Sequence, residues 1–594
     1  MPSPFNYRLT IERDKLGRSY LKAYKNVWDR LKKQSRRSEK FHVGTLGDNN
    51  SIVFAETFLE RFPSFKKGFF YYFDHQIVDE ETFQSLQSEG TTETENFVDE
   101  FTTSDGVQSG TVRSYGATYC LNELGIKSGM RRSLKEVFGP LGKDLFNLAV
   151  FTALSDFANQ DYEVWLADNL LLGARHQDGR RVSELLSAVT SEKFDEYFVA
   201  RNRERNEKDT LGGSPLWALD STSISTYSKT IKLAAHGYNK QGEDLAQINL
   251  VDVIDQDTGE LVYGHIYNGS IPDIATLRTL LAKLQDADAD PTKAILVLDR
   301  GYSSIENIDA LLREGVSFII GAKLSENAVK AQVLEKRRSL LNTTFRDPDM
   351  GIYATTYVDN NWGSGSAVRG GKEYQRVYLH LYRDATRATE EIESTDTAIK
   401  RTLKLLNDKE NRDNKGKIKH WPDNYSTIKD YFIHDPQTNR FAINDPLWQE
   451  AQKLAGTFAI YTNTIEDPFL TLQAYRARGL IEQGFNIYKN EVSGRRLRVT
   501  ESTFRGKILV CLLAQSLLMM LHRQLVDKRG QNKKAPFKVP GNSIPRLLRE
   551  LSLIKAHKMR KNVRWMVDSI TKKQRTAFAA LGIEPPKRFI LIRD

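Results

Sequence analysis

The chain has 594 residues, 40% of them hydrophobic and 10% aromatic, which gives room for three or four domains with sizeable cores and excludes a disordered protein. Its only two cysteines, Cys120 and Cys511, exclude a disulfide framework or a thiolate zinc site and fit a reducing, cytoplasmic setting. The net charge of +10 is uneven: from Glu491 to Asp594 there are 24 Lys and Arg against 7 Asp and Glu, so the tail carries +17 and the preceding chain about −7. A tail this cationic is the footprint of a polyanion, DNA foremost.

In chain order, Met1-Pro-Ser-Pro-Phe-Asn-Tyr7 lacks the apolar run of a signal peptide. Arg8 to Lys40 then holds 12 basic residues against 4 acidic ones, with Tyr20, Tyr24 and Trp28 interleaved. Cations grip phosphates and aromatic rings stack on bases, so residues 1–78 are predicted to form a basic, β-rich DNA-binding module. Its turns are expected at Lys15-Leu-Gly-Arg18 and Gly44-Thr-Leu-Gly-Asp-Asn49. Asp79 to Asp105 has no Lys or Arg and is rich in Ser and Thr, which predicts an acidic linker over 79–110. Helical spacing of Leu121, Leu124, Leu134, Val137, Phe138, Val150, Phe151 and Leu154 predicts a helical region over 111–210.

The next two segments bring candidate chemistry. Trp217-Ala-Leu-Asp220-Ser-Thr222 is an apolar run meeting an aspartate, and Ile295-Leu-Val-Leu298 is a buried-strand run that ends on Asp299 before Arg300-Gly301-Tyr302. Each aspartate, taken alone, reads at least as well as a helix N-cap. Between them, Asp255-Gln-Asp-Thr-Gly259 lies between two strand-like runs and reads as a hairpin turn; it lacks the position-12 Glu of a calcium loop. Residues 322–456 read as an insertion, with alternating strands at Ile352–Val358 and Arg376–Tyr382 and a charged helix over Arg387–Lys419. Then come Tyr475, Arg478, Glu482 and Lys489. At about 100° per residue these intervals of 3, 4 and 7 put all four on one helix face. A carboxylate flanked by two cations and a phenol suits a phosphodiester-cutting site, although a solvated face of ion pairs has the same pattern.

In this order, the Asp220-Ser-Thr block, the Asp299-Arg-Gly-Tyr block and the Y-x2-R-x3-E-x6-K helix resemble the DDE transposases of bacterial insertion sequences, specifically the larger members with long N-terminal regions. His236-Gly-Tyr-Asn-Lys-Gln-Gly-Glu-Asp-Leu245 and Asn268-Gly-Ser-Ile-Pro-Asp-Ile274 carry the resemblance further. It implies an α/β fold: an RNase H-like catalytic core over 211–321 and 457–495, a β-rich insertion domain over 322–456, and DNA-binding regions at both ends. It also implies that Asp220, Asp299 and Glu482 hold two Mg²⁺ ions, or Mn²⁺ in their place, that cut insertion-sequence ends and join the freed 3′-OH to target DNA. Tyr475, Arg478, Lys489 and Arg300 would then hold phosphates. Terminal inverted repeats and target DNA are the implied partners, with a homodimer in the synaptic complex. Trp421, Trp448 or Tyr461 would stack on an extruded base, although each reads first as a core residue. Two rivals stay open: an RNase H-like nuclease or resolvase without strand transfer, and a silent transposase-derived DNA-binding protein.

Residues 496–594 complete the chain as a basic helical region for DNA binding or dimerisation, entered through Arg495, Arg496 and Arg498, with a second cluster at Lys558-Met-Arg560-Lys561. Ile508 to Leu521 is apolar but short, with Gln515 and Ser516 inside it, which predicts a buried helix and no membrane span. No phosphate-binding GxxxxGK[ST] loop occurs, so no nucleotide cofactor is expected.

Overall fold

The computed structural model describes residues 7–13, 19–29, 34–47, 51–66, 68–73, 76–80, 107–208, 214–239, 242–362, 375–413, 417–525, 538–559 and 564–591. The expected turn at Lys15–Arg18, nearly all of the acidic linker and the Arg560-Lys561 cluster lie outside them, as does the side chain of Trp28. The chain is mixed α/β and divides into two compact units.

One unit comprises Met1–Val107, Lys558–Met566 and Lys587–Asp594. Its strands Arg8–Arg13, Ser19–Asp29, Gln34–Leu46 and Ile52–Phe54 form an antiparallel sheet in chain order. Alternation sends Leu9, Leu21, Ala23 and Val43 inward onto Phe58, Phe65 and Phe70. On the other face Lys22 and Lys40 converge on Glu12, and Tyr20 lies against His42 at 5.8 Å between ring centres. The turn expected from Gly44 onward is strand through Leu46. Gly44 pairs with Phe54, and a Cβ there would sit 2.2 Å from the Val53 carbonyl oxygen, so glycine permits a close strand approach instead of a reversal.

The larger unit, Gln108–His557 with Val567–Pro586, contains the ten-stranded mixed sheet. We number its main strands β1 (Leu216–Thr226), β2 (Gln247–Asp255), β3 (Leu261–Asn268), β4 (Ile295–Leu298), β5 (Ser317–Ala322), β6 (Ile352–Trp362), β7 (Gln375–Asp384) and β8 (Thr457–Thr462). Their order is β3-β2-β1-β4-β5-β8-β7-β6, with the two-residue strands Arg346–Asp347 beside β6 and Arg496–Leu497 beside β1. β1, β4 and β5 run parallel, and the other main strands pair antiparallel. Continuous apolar runs in β1, β4 and β5 follow from their central, doubly covered position.

The insertion differs from its expected form. Its strands β6 and β7 build no separate β domain; β8 pairs with β5 on one side and β7 on the other, so the insertion widens the core sheet. Side chains from both parts share one core, including Val297, Ile319, Ile352, Tyr382 and Ile460. Beyond it stand the helix Ala385–Asn407 and the small hairpin Phe432–Asp435 with Arg440–Ile443.

Helices cover the sheet. Gly116–Ser128, Met130–Phe138, Pro140–Leu154 and Ser191–Lys208 lie in the region expected to be helical. The helix Phe504–Leu525 is long and apolar enough to cross a bilayer, yet 89% of its most apolar window is buried inside the protein. The two polar residues within its apolar run Ile508–Leu521 serve the sheet: Gln515 Nε2 donates to Asp252 Oδ2 at 2.9 Å, and Ser516 Oγ accepts from the Leu261 N–H. Burial of both without partners would be costly, so these bonds fix the helix's register against β2 and β3.

Candidate active site

The parallel pairing of β1 with β4 aligns Leu219 with Leu298. The next residue on each strand is an aspartate, so Asp220 and Asp299 stand one strand spacing apart, about 4.8 Å between neighbouring backbones. Asp220 lies inside its strand, opposite Asp252 of β2, with six more strand residues after it. Asp299 does precede a short 3₁₀ turn, but its side chain makes no cap hydrogen bond. The capping alternative for Asp299 therefore does not hold.

The third carboxylate comes from the helix pair α1 (Pro468–Ala477) and α2 (Gly479–Asn486). Asp467 caps α1 by accepting from the Phe469 and Leu470 N–H groups, and Pro468 supplies a preset φ at the first position. A single helix was expected from Tyr475 to Lys489. The structure interrupts it at Arg478 and ends it in a π-helical turn, Ile487–Glu491, which holds Lys489 half-buried. The five-residue bonding of that turn departs from the α-helical pattern around Lys489.

Arg478, at the junction, gathers the acids. Its guanidinium lies 3.6 Å from Asp220 Oδ2, 3.4 Å from Asp299 Oδ1 and 2.9 Å from Glu482 Oε1. The Arg478 side chain is only 12% exposed, against 15%, 36% and 64% for the three carboxylates in that order. Its Nε–H is buried with no acceptor among the described residues, a cost of roughly 1–3 kcal/mol. The ring of Tyr475 lies 5.5 Å from the guanidinium carbon. Burial pushes the Tyr475 phenol above its usual range, with the positive charge of Arg478 opposing.

Two glycines set these approaches. A Cβ on Gly321 of β5 would fall 2.5 Å from the Tyr475 hydroxyl, so Tyr475 can lie over β5 only because that position is bare. A Cβ on Gly484 of α2 would meet Gln515 Nε2 and Ile254 Cδ1 at 3.0 Å. Gly484 thus lets the helix bearing Glu482 settle onto the sheet. Gly484→Val is expected to cost about 1–3 kcal/mol by overpacking, read as a lower denaturant midpoint.

The remaining predicted contacts fall into separate groups. Arg300 is exposed and its backbone and Cβ border Gly321, near Tyr475. Arg496 pairs with Glu243 at 2.6 Å, and Arg496 and Arg498 both approach the ring of Tyr227; Arg495 is exposed beside them. Of the aromatic candidates, Trp421 lies on Tyr425 and is half exposed, Trp448 packs edge-on against Tyr431, and Tyr461 meets Trp362. Tyr461 and Trp362 line a cavity of about 780 Å³ with Ile274, Ile305 and four acidic residues.

Sequence reasoning missed Asp252. It is fully buried opposite Asp220; one oxygen accepts from Gln515 and the other has no partner among the described residues. Burial pushes its carboxyl up to about 7, and the charge of Asp220 adds to the rise against the Gln515 bond. The signal was a lone acid in the apolar run Ile248-Asn-Leu-Val-Asp252-Val-Ile254.

The three gathered carboxylates are hard oxygen donors already clustered around one cation, a donor set that suits a hard divalent metal. Among the described residues no three acidic, His or Cys side chains stand close enough together to hold a metal ion as placed; the Arg478 guanidinium lies between the three carboxylates. A family profile described as the transposase DDE domain matches residues 212–517, more than half of the chain and a range within which all three carboxylates fall. The chain belongs to this family. This DDE transposase is also similar to a solved structure, the piggyBac transposase synaptic complex with hairpin DNA, at 10% identity over 73% of this chain and 70% of that chain, with a TM-score of 0.30. No curated protein matches it.

Proposed function

We propose that this DDE transposase is a cut-and-paste enzyme of a bacterial insertion sequence, with Asp220, Asp299 and Glu482 as its metal-binding catalytic residues. The observation that carries the reading is the convergence of these three carboxylates, from β1, β4 and α2, on one buried guanidinium. An RNase H-like core is supported by the order β3-β2-β1-β4-β5 with β2 antiparallel and both aspartates on adjacent central strands. Asp220, Asp299 and Glu482 would hold divalent metal, Mg²⁺ in the first instance, which supplies activation of the attacking oxygen and stabilisation of the leaving one.

The chain's own groups position the DNA. Arg478 and Arg300 neutralise phosphate beside the acids, Tyr475 orients one by hydrogen bonding, and Lys489 binds backbone further along. Water attacks the phosphorus at the element end, forming one P–O bond and breaking the bond to the 3′ oxygen. The freed 3′-OH then attacks target DNA by the same exchange, so no nucleotide is consumed. Arg495, Arg496 and Arg498 around Tyr227 extend a basic track from the end of β1, and the basic N-terminal sheet recognises the terminal repeat. Two ends cut in concert call for a homodimer.

The test is linear DNA carrying the candidate terminal repeats, with a supercoiled target and Mg²⁺, resolved for cleaved and joined products. Joined products with 3′ ends covalently in target DNA are expected. Cleavage without joining would make the protein a nuclease, and binding without either would make it a silent descendant.

A further inference from the structure

We propose that Arg478 is an internal counter-cation that occupies the metal position in the DNA-free protein and exchanges carboxylate partners for DNA phosphate, so that metal and DNA each promote binding of the other. This rests on the reading of Asp220, Asp299 and Glu482 as metal ligands. One guanidinium within 4.0 Å of three carboxylates from three separate elements neutralises part of their mutual repulsion and holds them together. It also places a fixed positive charge among the oxygens a divalent cation needs. Arginine cannot lose that charge by deprotonation, so the group must move when metal enters.

The surroundings allow the move. Arg478 stands between two helices, next to Gly479, where a Cβ would meet nothing within 4 Å. The Tyr475 face gives the guanidinium a surface to slide over, and the buried, unpartnered Nε–H is a donor that the present position leaves unused. A phosphate oxygen arriving at Arg478 replaces carboxylate as its acceptor and frees the acids. By linkage, metal on the acids frees Arg478 for phosphate to the same extent.

Mn²⁺ binding to the full chain is measured by calorimetry without DNA for the wild type, Arg478→Gln, Arg478→Lys and Asp220→Asn, with folding checked by circular dichroism. Arg478→Gln is expected to bind Mn²⁺ at least about fivefold more tightly than wild type, with Arg478→Lys between them, and Asp220→Asn more weakly. The affinity for a labelled mixed-sequence DNA duplex, read by anisotropy with and without Ca²⁺, is expected to rise with the ion in wild type and to respond less in Arg478→Gln. If Asp220→Asn weakens Mn²⁺ binding while both Arg478 variants bind like wild type, the counter-cation role is overturned and the metal site stands. If Asp220→Asn binds Mn²⁺ as wild type does, the metal-ligand reading fails and takes this inference with it. Should Arg478→Gln not fold, Arg478→Lys decides alone: the proposal requires it to bind Mn²⁺ more tightly than wild type.

Discussion

Asp220→Asn is expected to lower both end cleavage and strand transfer by roughly a thousandfold or more while leaving a folded protein. On the proposed site the change removes a metal ligand and with it several kcal/mol of charge stabilisation from the reaction, and each ~1.4 kcal/mol is tenfold in rate. The fold tolerates the change because Asn keeps the size of the side chain and its oxygen, which accepts from the Ser221 N–H in the native strand. Removing the charge also lowers repulsion between the acids, of which three face one arginine. Product gels and a thermal melt on the same preparation check both halves. An active Asp220→Asn protein would move the active site elsewhere.

The second large effect is thermodynamic. In metal-free buffer the stability of the wild type is expected to fall as pH rises from about 4 to about 7, and Asp252→Asn is expected to remove that fall. The unfolded Asp252 carboxyl titrates near the ordinary aspartate value of 3.8, whereas burial holds the folded one up at about 7. Below pH 4 both states carry the proton and nothing is lost. Between the two values the folded state binds the proton and the unfolded state does not, so stability declines with pH, by up to roughly 4 kcal/mol in all. Asn imitates the protonated acid: it can accept from Gln515 and offer an N–H where Gln515 Oε1 and the Tyr488 hydroxyl lack partners. Urea unfolding of both proteins between pH 4 and 8 measures the difference, and parallel curves would dismiss Asp252 as its source.

These two aspartates mark what a sequence does and does not display. Asp220 and Asp299 were legible because apolar runs led into them, and parallel register alone then sets them side by side. The β2–β3 hairpin and the buried helix from Phe504 were legible for the same reason, local pattern. Asp252 was overlooked because its meaning depends on a partner across the sheet and on Gln515, 263 positions away. The unity of the insertion with the core was hidden as well, since β8 finds β5 and β7 through pairings that no local periodicity encodes. The break at Arg478 followed from neither propensity nor spacing. The backbone of Arg478 stays in the helical region, so only its hydrogen bonding departs from the regular helix.

The place of β8 in the sheet has a consequence for how the enzyme comes into being on the ribosome. Until residue 457 is made, β5 is a bare apolar edge, and until residue 482 is made the third acid does not exist. Pairings across such long chain separations form slowly and leave sticky edges waiting. On the proposed site, a chain that stops short of Glu482 lacks an acid that cleavage needs, and its uncovered β5 edge is prone to aggregate.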